Sequence, residues 1–214
     1  MSSKTDICNQ ALGLLGEARI SDVDDSTSPA ARACNVQFDA SRDFLLRRND
    51  WAFARRRVSL SADSETPIGE EYDYQYTIPT GGTVQKALVL RKVVGYKNLT
   101  KKALTREGGK WLMNIAPPIT VLYTFQETNT GNFDPAFEQA LTYYIAHRVA
   151  VPIGKDVQVS SAWLGVFEQF FRTAAGLDAD QDPADPGESF WADVGRGENN
   201  REIPLPRELQ SNVS

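Results

Sequence analysis

The stretch RRNDWAFARRR, residues 47–57, lies where the sequence changes from a helical to an extended pattern. From Ser28 up to this stretch, apolar residues recur every three or four positions, which predicts a long helix with a broad apolar stripe. Ser28 is a favourable N-cap, and Pro29 suits the first helical position. Asn49 and Asp50 are expected to end the helix, so the stretch separates a helical part of the chain from an extended one.

Beyond the helix end, the alternation of residue types predicts an extended segment. Trp51 and Phe53 would point inward along it, and Arg55 and Arg57 would share their direction. The residues predicted to face the other way are Ala52, Ala54 and Arg56.

The five arginines of this stretch admit three interpretations, and the sequence leaves all three open. Arg47 and Arg48 would oppose the negative end of the helix dipole, with the arginines pairing to carboxylates of the same chain. In the second interpretation, the stretch forms a protein interface, where Arg and aromatic residues are enriched. In the third, it binds nucleic acid. The candidate interface residues are Arg47, Arg48, Trp51, Phe53, Arg55, Arg56 and Arg57, together with Phe190 and Trp191.

The charge balance argues against a free-standing nucleic-acid binder. The 214 residues include 23 Lys and Arg against 28 Asp and Glu, a net charge of −5. Neutralisation of phosphates supplies most non-specific affinity, so such binders carry a positive surplus. Any binding to nucleic acid would therefore have to be local.

Three further segments have helical periodicity, one near the N-terminus and two after residue 133. Their expected N-terminal caps include Ser3 or Thr5 for the first and Asp134 for the second. Their expected ends are Gly16, Pro152 and Gly176. The last of them carries an apolar stripe formed by Trp163, Val166, Phe167, Phe170, Phe171 and Ala174.

The middle of the chain is rich in β-branched and aromatic residues with partial two-residue alternation, which predicts a small antiparallel sheet. Gly108 and Gly109 supply a turn between two hairpin strands. Val121, Tyr123 and Phe125 would share one face of the last strand. The fold class is therefore α+β, a bundle of about four helices with an inserted small antiparallel β-sheet and an extended C-terminal arm.

This organisation predicts four regions along the chain. They are N-terminal helices over 1–57, an antiparallel β region over 58–133, C-terminal helices over 134–177 and an acidic arm over 178–214. The arm is rich in Pro and Gly and has almost no periodicity, a composition that does not fold alone in water. We expect neighbouring chains to order it, with Phe190 and Trp191 as anchors in a partner's pocket.

The sequence offers no recognisable catalytic, cofactor or metal site, and we expect no enzyme. The single histidine, His147, lies within a helical segment and is interpreted as structural or surface-exposed. Asp22, Asp24 and Asp25 crowd one loop, but the loop lacks the glycine and downstream glutamate of a calcium-binding hand. The two cysteines, Cys8 and Cys34, are expected to be buried free thiols, with a disulfide as the less favoured alternative. We also expect a soluble protein made inside the cell, since neither a signal peptide nor a long apolar run is present.

Several stretches resemble one known family in the same order along the chain. They are ICNQALGLLGEARISDVDDST (7–27), PAARACNVQFDASRDFLLRRNDWAFARRRVSL (29–60), YDYQYTIP (72–79), ALVLRKV (87–93) and FDPAFEQALTYYIAHRVAVPI (133–153). This succession is similar to the tail tubular protein A family, the head-to-tail adaptors of short-tailed bacteriophages. The resemblance covers about residues 4–180, and the arm is less diagnostic.

The resemblance implies a structural virion protein in the neck of a phage, assembled in the host cytoplasm. Copies would form a ring, expected to be a dodecamer, between the portal protein and the tail nozzle protein, with area for tail fibres. Double-stranded DNA would pass through the lumen without specific binding, and residues 47–57 would form a corner that docks on a neighbour or on the portal. The alternative is a DNA-binding packaging accessory protein that uses the Arg47–Arg57 cluster; a hydrolase relying on Asp24 or His147 is a weaker one.

Overall fold

A computed structural model describes residues 2–25, 27–68, 71–82, 84–96 and 104–180, with side chains of the last helix described up to residue 175. The four helices are α1 (Lys4–Leu14), α2 (Pro29–Arg48), α3 (Pro135–Ala150) and α4 (Val157–Asp180). The six strands are β1 (Arg55–Leu60), β2 (Tyr74–Thr77), β3 (Ala87–Val93), β4 (Leu104–Glu107), β5 (Lys110–Met113) and β6 (Ile119–Phe125). The fold is α+β, as predicted. Phe190, Trp191 and the arm beyond α4 lie outside the described residues.

The predicted helix starts are confirmed. The Ser3 side chain accepts a hydrogen bond from the Asp6 backbone N–H and Asp6 reciprocates, which closes a capping box at α1. Ser28 caps α2 with Pro29 in the first turn, and Asp134 caps α3 in the same way. Each cap satisfies a backbone N–H that has no partner within the helix.

One predicted helix end is wrong. Gly176 was expected to close the last helix, but α4 continues through it to Asp180. A glycine inside a helix costs only about 1 kcal/mol relative to alanine, so it does not by itself terminate a helix. Gly16, by contrast, has φ +69° just after α1, where a left-handed residue ends a helix as expected.

The β region forms two three-stranded antiparallel sheets, where a single sheet was predicted. One sheet has the order β1-β6-β3 and the other β2-β5-β4. The predicted hairpin turn is confirmed, since Glu107 pairs with Lys110 across Gly108 and Gly109, both at positive φ. Periodicity locates strands but does not encode which strand pairs with which, and this is where the single-sheet prediction failed.

The extended segment predicted for Trp51 to Arg57 is interrupted by a 3₁₀ turn at Ala52–Ala54. Because this turn advances three residues per revolution, Trp51 and Ala54 both lie on its inner side and are fully buried. The prediction that Ala54 faces away from Trp51 is therefore wrong. Regular alternation starts only at Arg55, so Arg55 and Arg57 share one face of β1.

One continuous hydrophobic core joins the helices to the sheets. Helix α3 packs against both α1 and α2. Trp51 contributes the largest fully buried side chain, and its ring contacts Phe137 edge-on with the centroids 5.2 Å apart, and Phe171 at 6.0 Å. Val166 departs from the predicted stripe of α4, since 42% of it is exposed.

None of the helices in the described part of the chain combines the length and apolar character that a membrane-crossing helix requires. Cys8 and Cys34 are both buried and free. The hydrogen bond with Cys34, together with burial, raises the pKa of Cys8, which keeps its thiol protonated. The interpretation of the two cysteines as buried free thiols is confirmed.

Candidate interface at the arginine-rich stretch

The C-terminal end of α2 is held by side chains from outside the helix. Trp51 Nε1 donates to the Leu45 carbonyl at 3.0 Å. Arg91, from strand β3, donates through Nη2 to the Leu46 carbonyl at 3.2 Å and also to the Asn49 carbonyl. The last carbonyls of a helix have no partner within it, so these bonds satisfy groups that burial would otherwise leave unpaired.

Arg91 and Arg55 share the carboxylate of Asp50. Asp50 Oδ1 lies 3.2 Å from Arg55 Nε and 3.4 Å from Arg91 Nε. Arg91 Nε also donates to Thr124 Oγ1 at 2.6 Å, and Thr124 is fully buried in β6. Burial lowers the pKa of Arg91, but the guanidinium remains charged at any physiological pH because its ordinary pKa is so high. This ion-paired cluster joins the end of α2 to the sheet β1-β6-β3.

Arg48 binds the last helix. Its Nη1 and Nη2 atoms donate to the two carboxylate oxygens of Glu168 at 2.7 Å and 2.5 Å. The guanidinium also lies 4.6 Å from the centroid of the Phe171 ring. The hydrogen bond to Glu168 raises the pKa of Arg48, and the same bond lowers the pKa of Glu168. This two-pronged contact fixes α4 against the end of α2.

Arg47 and Arg56 are exposed but have weaker partners inside the chain. Arg47 Nη1 donates to the Leu88 carbonyl at 3.3 Å. Arg56 Nε donates to Gln85 Oε1 at 2.8 Å, with its guanidinium 5.0 Å from the Phe125 ring centroid. Neither contact is an ion pair, so both cations keep most of their charge available at the surface.

Arg57 differs from the other four arginines. It is exposed, and within the described part of the chain its side chain has no hydrogen bond and no ion pair. Trp51 is fully buried and Phe53 half-buried, its ring 5.0 Å from that of Phe137. The surface offered by this stretch therefore consists of arginines, while its aromatic residues belong to the core.

Two arginines outside the stretch were missed by sequence reasoning. Arg91 lies in a strand whose residue pattern carries no sign of a contact with a helix end. Arg42 is only 5% exposed and donates to both Asp39 and Asp43 at 2.8–2.9 Å. Its acidic neighbours, three positions before it and one after it, were the signal that could have identified it.

His147 and the acidic loop form hydrogen bonds within the fold. His147 Nδ1 lies 2.9 Å from both Oγ and the carbonyl oxygen of Ser160, and the Ser160 hydroxyl donates to the His147 carbonyl at 3.0 Å. These bonds connect α3 to α4, and among the described residues no carboxylate is hydrogen-bonded to the imidazole as nucleophile activation requires. In the loop, Asp24 accepts from Asn35, and Asp25 accepts from Thr27. The described residues contain no group of three or more side chains placed to hold a metal ion.

Comparison with known proteins finds no family model that matches this chain. A search of curated proteins likewise finds no match. The function is therefore argued from the ordered sequence features and from the geometry of the fold.

Replacing Arg91 with Met tests its role in joining α2 to the sheet. The variant leaves the Leu46 and Asn49 carbonyls without this donor, and we expect the free energy of unfolding to fall by about 2–4 kcal/mol. Arg57→Met is the matched control and should change it by less than about 0.5 kcal/mol. Urea denaturation of both variants measures the difference, and equal effects would contradict the assignment.

The Arg48–Glu168 pair makes a pH-dependent contribution. A double-mutant cycle with Arg48→Ala and Glu168→Gln should give a coupling energy of about 0.5–1 kcal/mol near pH 7. Because the pKa of Glu168 is lowered in the fold, this energy is fully present above the ordinary glutamate pKa and is lost as the pH falls through the lowered value. Urea denaturation of the four proteins at pH 7, 5 and 3 checks this. A coupling energy that stays constant down to pH 3 would show that the charge of Glu168 is not involved.

Proposed function

We propose that this protein is a structural head-to-tail adaptor of a short-tailed phage, forming a ring between the portal and the tail nozzle. The observation that carries the proposal is the ordered resemblance of residues 4–180 to the tail tubular protein A family. One of the stretches that carry the resemblance, residues 29–60, is also the one that leads from helix α2 into strand β1. On this proposal, double-stranded DNA would pass through the lumen without specific binding, and the ring would offer area for tail fibres.

The internal contacts of the arginine-rich stretch favour assembly over binding to DNA. Arg48 and Arg55 pair with Glu168 and Asp50, and exposed ion pairs of this kind leave little net charge for phosphates. The stretch therefore acts first as a structural corner. A neighbouring copy or the portal would dock on the exposed arginines of the stretch, which are Arg47, Arg56 and Arg57.

The net negative charge of the chain comes from one region, although acidic residues occur throughout the sequence. Residues 178–214 contain nine acidic and three basic residues, a net charge of −6, so the rest of the chain carries +1 of the total −5. A nearly neutral body does not hold a duplex tightly, because affinity for DNA rises with the number of phosphates neutralised. This property suits a channel through which a genome slides.

Co-sedimentation with the cognate portal ring tests the adaptor function. We expect the protein to saturate at one copy per portal subunit, measured as the mass bound per portal. The matched control is the same assay with an unrelated portal ring, which should bind no protein. Absence of association with the cognate portal at any salt concentration would refute the proposal.

The alternative function, a DNA-binding packaging accessory protein, is favoured by the exposed charge of Arg56 and Arg57. It predicts duplex affinity that falls steeply with salt and is lost in Arg56→Glu with Arg57→Glu. The adaptor proposal predicts that this double variant changes duplex affinity by less than about twofold but weakens binding to the portal ring. Fluorescence anisotropy with labelled duplex at 50 and 200 mM NaCl, alongside co-sedimentation, separates the two functions.

A further inference from the structure

A cross-strand row on the sheet β1-β6-β3 carries two exposed cations on either side of an apolar residue. Arg57 of β1 and Lys92 of β3 both pair in register with Leu122 of the central strand β6. Residues in register on antiparallel strands project from the same face of a sheet. We call these three residues the basic row. Two strand spacings place the Cα atoms of its cations about 10 Å apart.

The basic row has no internal partner. In the described part of the chain, neither the Arg57 side chain nor the Lys92 side chain forms a hydrogen bond or an ion pair, and both residues are exposed. Leu122 is 9% exposed and lies outside the core cluster, and the stems of long cationic side chains beside such a residue can cover apolar surface. The next row on this face differs, because Arg55, in register with Thr124 and Val89, is ion-paired with Asp50. Arg91 lies at the irregularity between Leu90 and Lys92, out of register, and is also ion-paired with Asp50.

The residues that follow Lys92 along the chain expose apolar surface. Val94 continues the same face of the sheet, donates its backbone N–H to the Thr120 carbonyl and is 38% exposed. Tyr96 follows it and is 50% exposed. The partner that such a surface fits carries two or more carboxylates about 10 Å apart, followed by large apolar side chains.

A segment of this chain has that pattern. The sequence DPADPGESFW, residues 182–191, contains three carboxylates, no basic residue and the aromatic pair Phe190 and Trp191. In a polyproline II chain, every third residue falls on one edge and recurs about every 9 Å. Asp182, Asp185 and Glu188 have this spacing of three, and it matches the separation of the two cations in the basic row.

We propose that the basic row of one copy receives the acidic segment 182–191 of a neighbouring copy, with its carboxylates on Arg57 and Lys92 and its aromatic pair beyond Lys92. The contact joins two different surfaces, an arm and a sheet face, and is therefore heterologous. Heterologous contacts repeated head to tail generate a closed ring when the rotation between copies closes. The choice of a neighbouring copy as the source of the segment rests on the proposed ring function.

Peptide binding tests the contact without any ring. The probe is a fluorescein-labelled peptide of residues 178–194. The receptor is the full-length chain carrying Asp182→Lys, Asp185→Lys and Glu188→Lys, so that its own segment does not compete. We expect binding that weakens with salt and weakens at least about tenfold when Arg57→Glu and Lys92→Glu are added.

The matched control places the same charge changes elsewhere. Arg19→Glu in the loop after α1 and Lys86→Glu before β3 also remove one Arg and one Lys, both exposed. This control pair should change the peptide affinity by less than about twofold. Equal effects of the two pairs, or no peptide binding to the receptor, would overturn the proposal. Duplex DNA binding to the basic row more tightly than the peptide would overturn it in favour of a nucleic-acid site.

Charge exchange in the full-length chain tests the contact in the assembly. The chain with Arg57→Glu and Lys92→Glu and the chain with the three lysines in its segment should each fail to saturate the portal ring. Their mixture should saturate it, because each reversed segment then meets a reversed row. If wild type saturates the portal and both reversals leave saturation unchanged, the contact is refuted and the adaptor function stands. If the peptide binds as expected but no chain binds the portal, the adaptor function fails and the contact stands.

Discussion

The carbonyl groups at the end of α2 set the constraint on which the rest of the structure depends. A helix of 20 residues that ends inside the protein must find donors for its last carbonyls, because an unpaired buried carbonyl costs about 1–3 kcal/mol. The Trp51 indole and the Arg91 guanidinium supply those donors from two directions. The strand β1 can start at Arg55 only because the 3₁₀ turn places Trp51 under the helix end. The end of α2 is thereby joined to the sheet β1-β6-β3.

The same arrangement explains why a chain with an excess of acidic residues places five arginines in eleven positions. Arginine combines several donors with a planar cation that remains charged when partly buried, so one side chain can hold a carbonyl and a carboxylate together. Arg55 is held by Asp50, and Arg48 spans to Glu168 on α4. A lysine ammonium group can also hold two partners, as Lys110 does with Asp63 and Thr77, but it lacks the planar fork that pairs bidentately with a carboxylate and loses its charge more readily on burial. Two of the five arginines, Arg48 and Arg55, thus hold together elements that meet at this corner, and the exposed Arg57 does not have this role.

Local signals in the sequence predicted local structure well, and long-range pairings poorly. Ser3, Ser28 and Asp134 cap helices as predicted because an N-cap acts on the next two or three residues of the chain. The partition of the strands into two sheets and the role of Arg91 depend on residues far apart in the chain, and no short pattern encodes them. At the candidate interface, the sequence identified the arginines but not which of them remain exposed. That distinction required the register of β1 against β6.

The distribution of charge along the chain bears more directly on function than its net value. A total of −5 suggests a uniformly acidic protein, but residues 178–214 alone carry −6. An acidic segment attached to a nearly neutral body that exposes Arg57 and Lys92 favours our proposal that copies of this chain bind one another. Such self-complementarity weakens as salt screens it within about 10 Å, so assembly and affinity for DNA would both fall with salt. A salt series alone therefore cannot separate a contact between copies from a contact with DNA phosphates. Reversing the charges on both partners can, because only a direct contact between the two surfaces is restored when both are reversed.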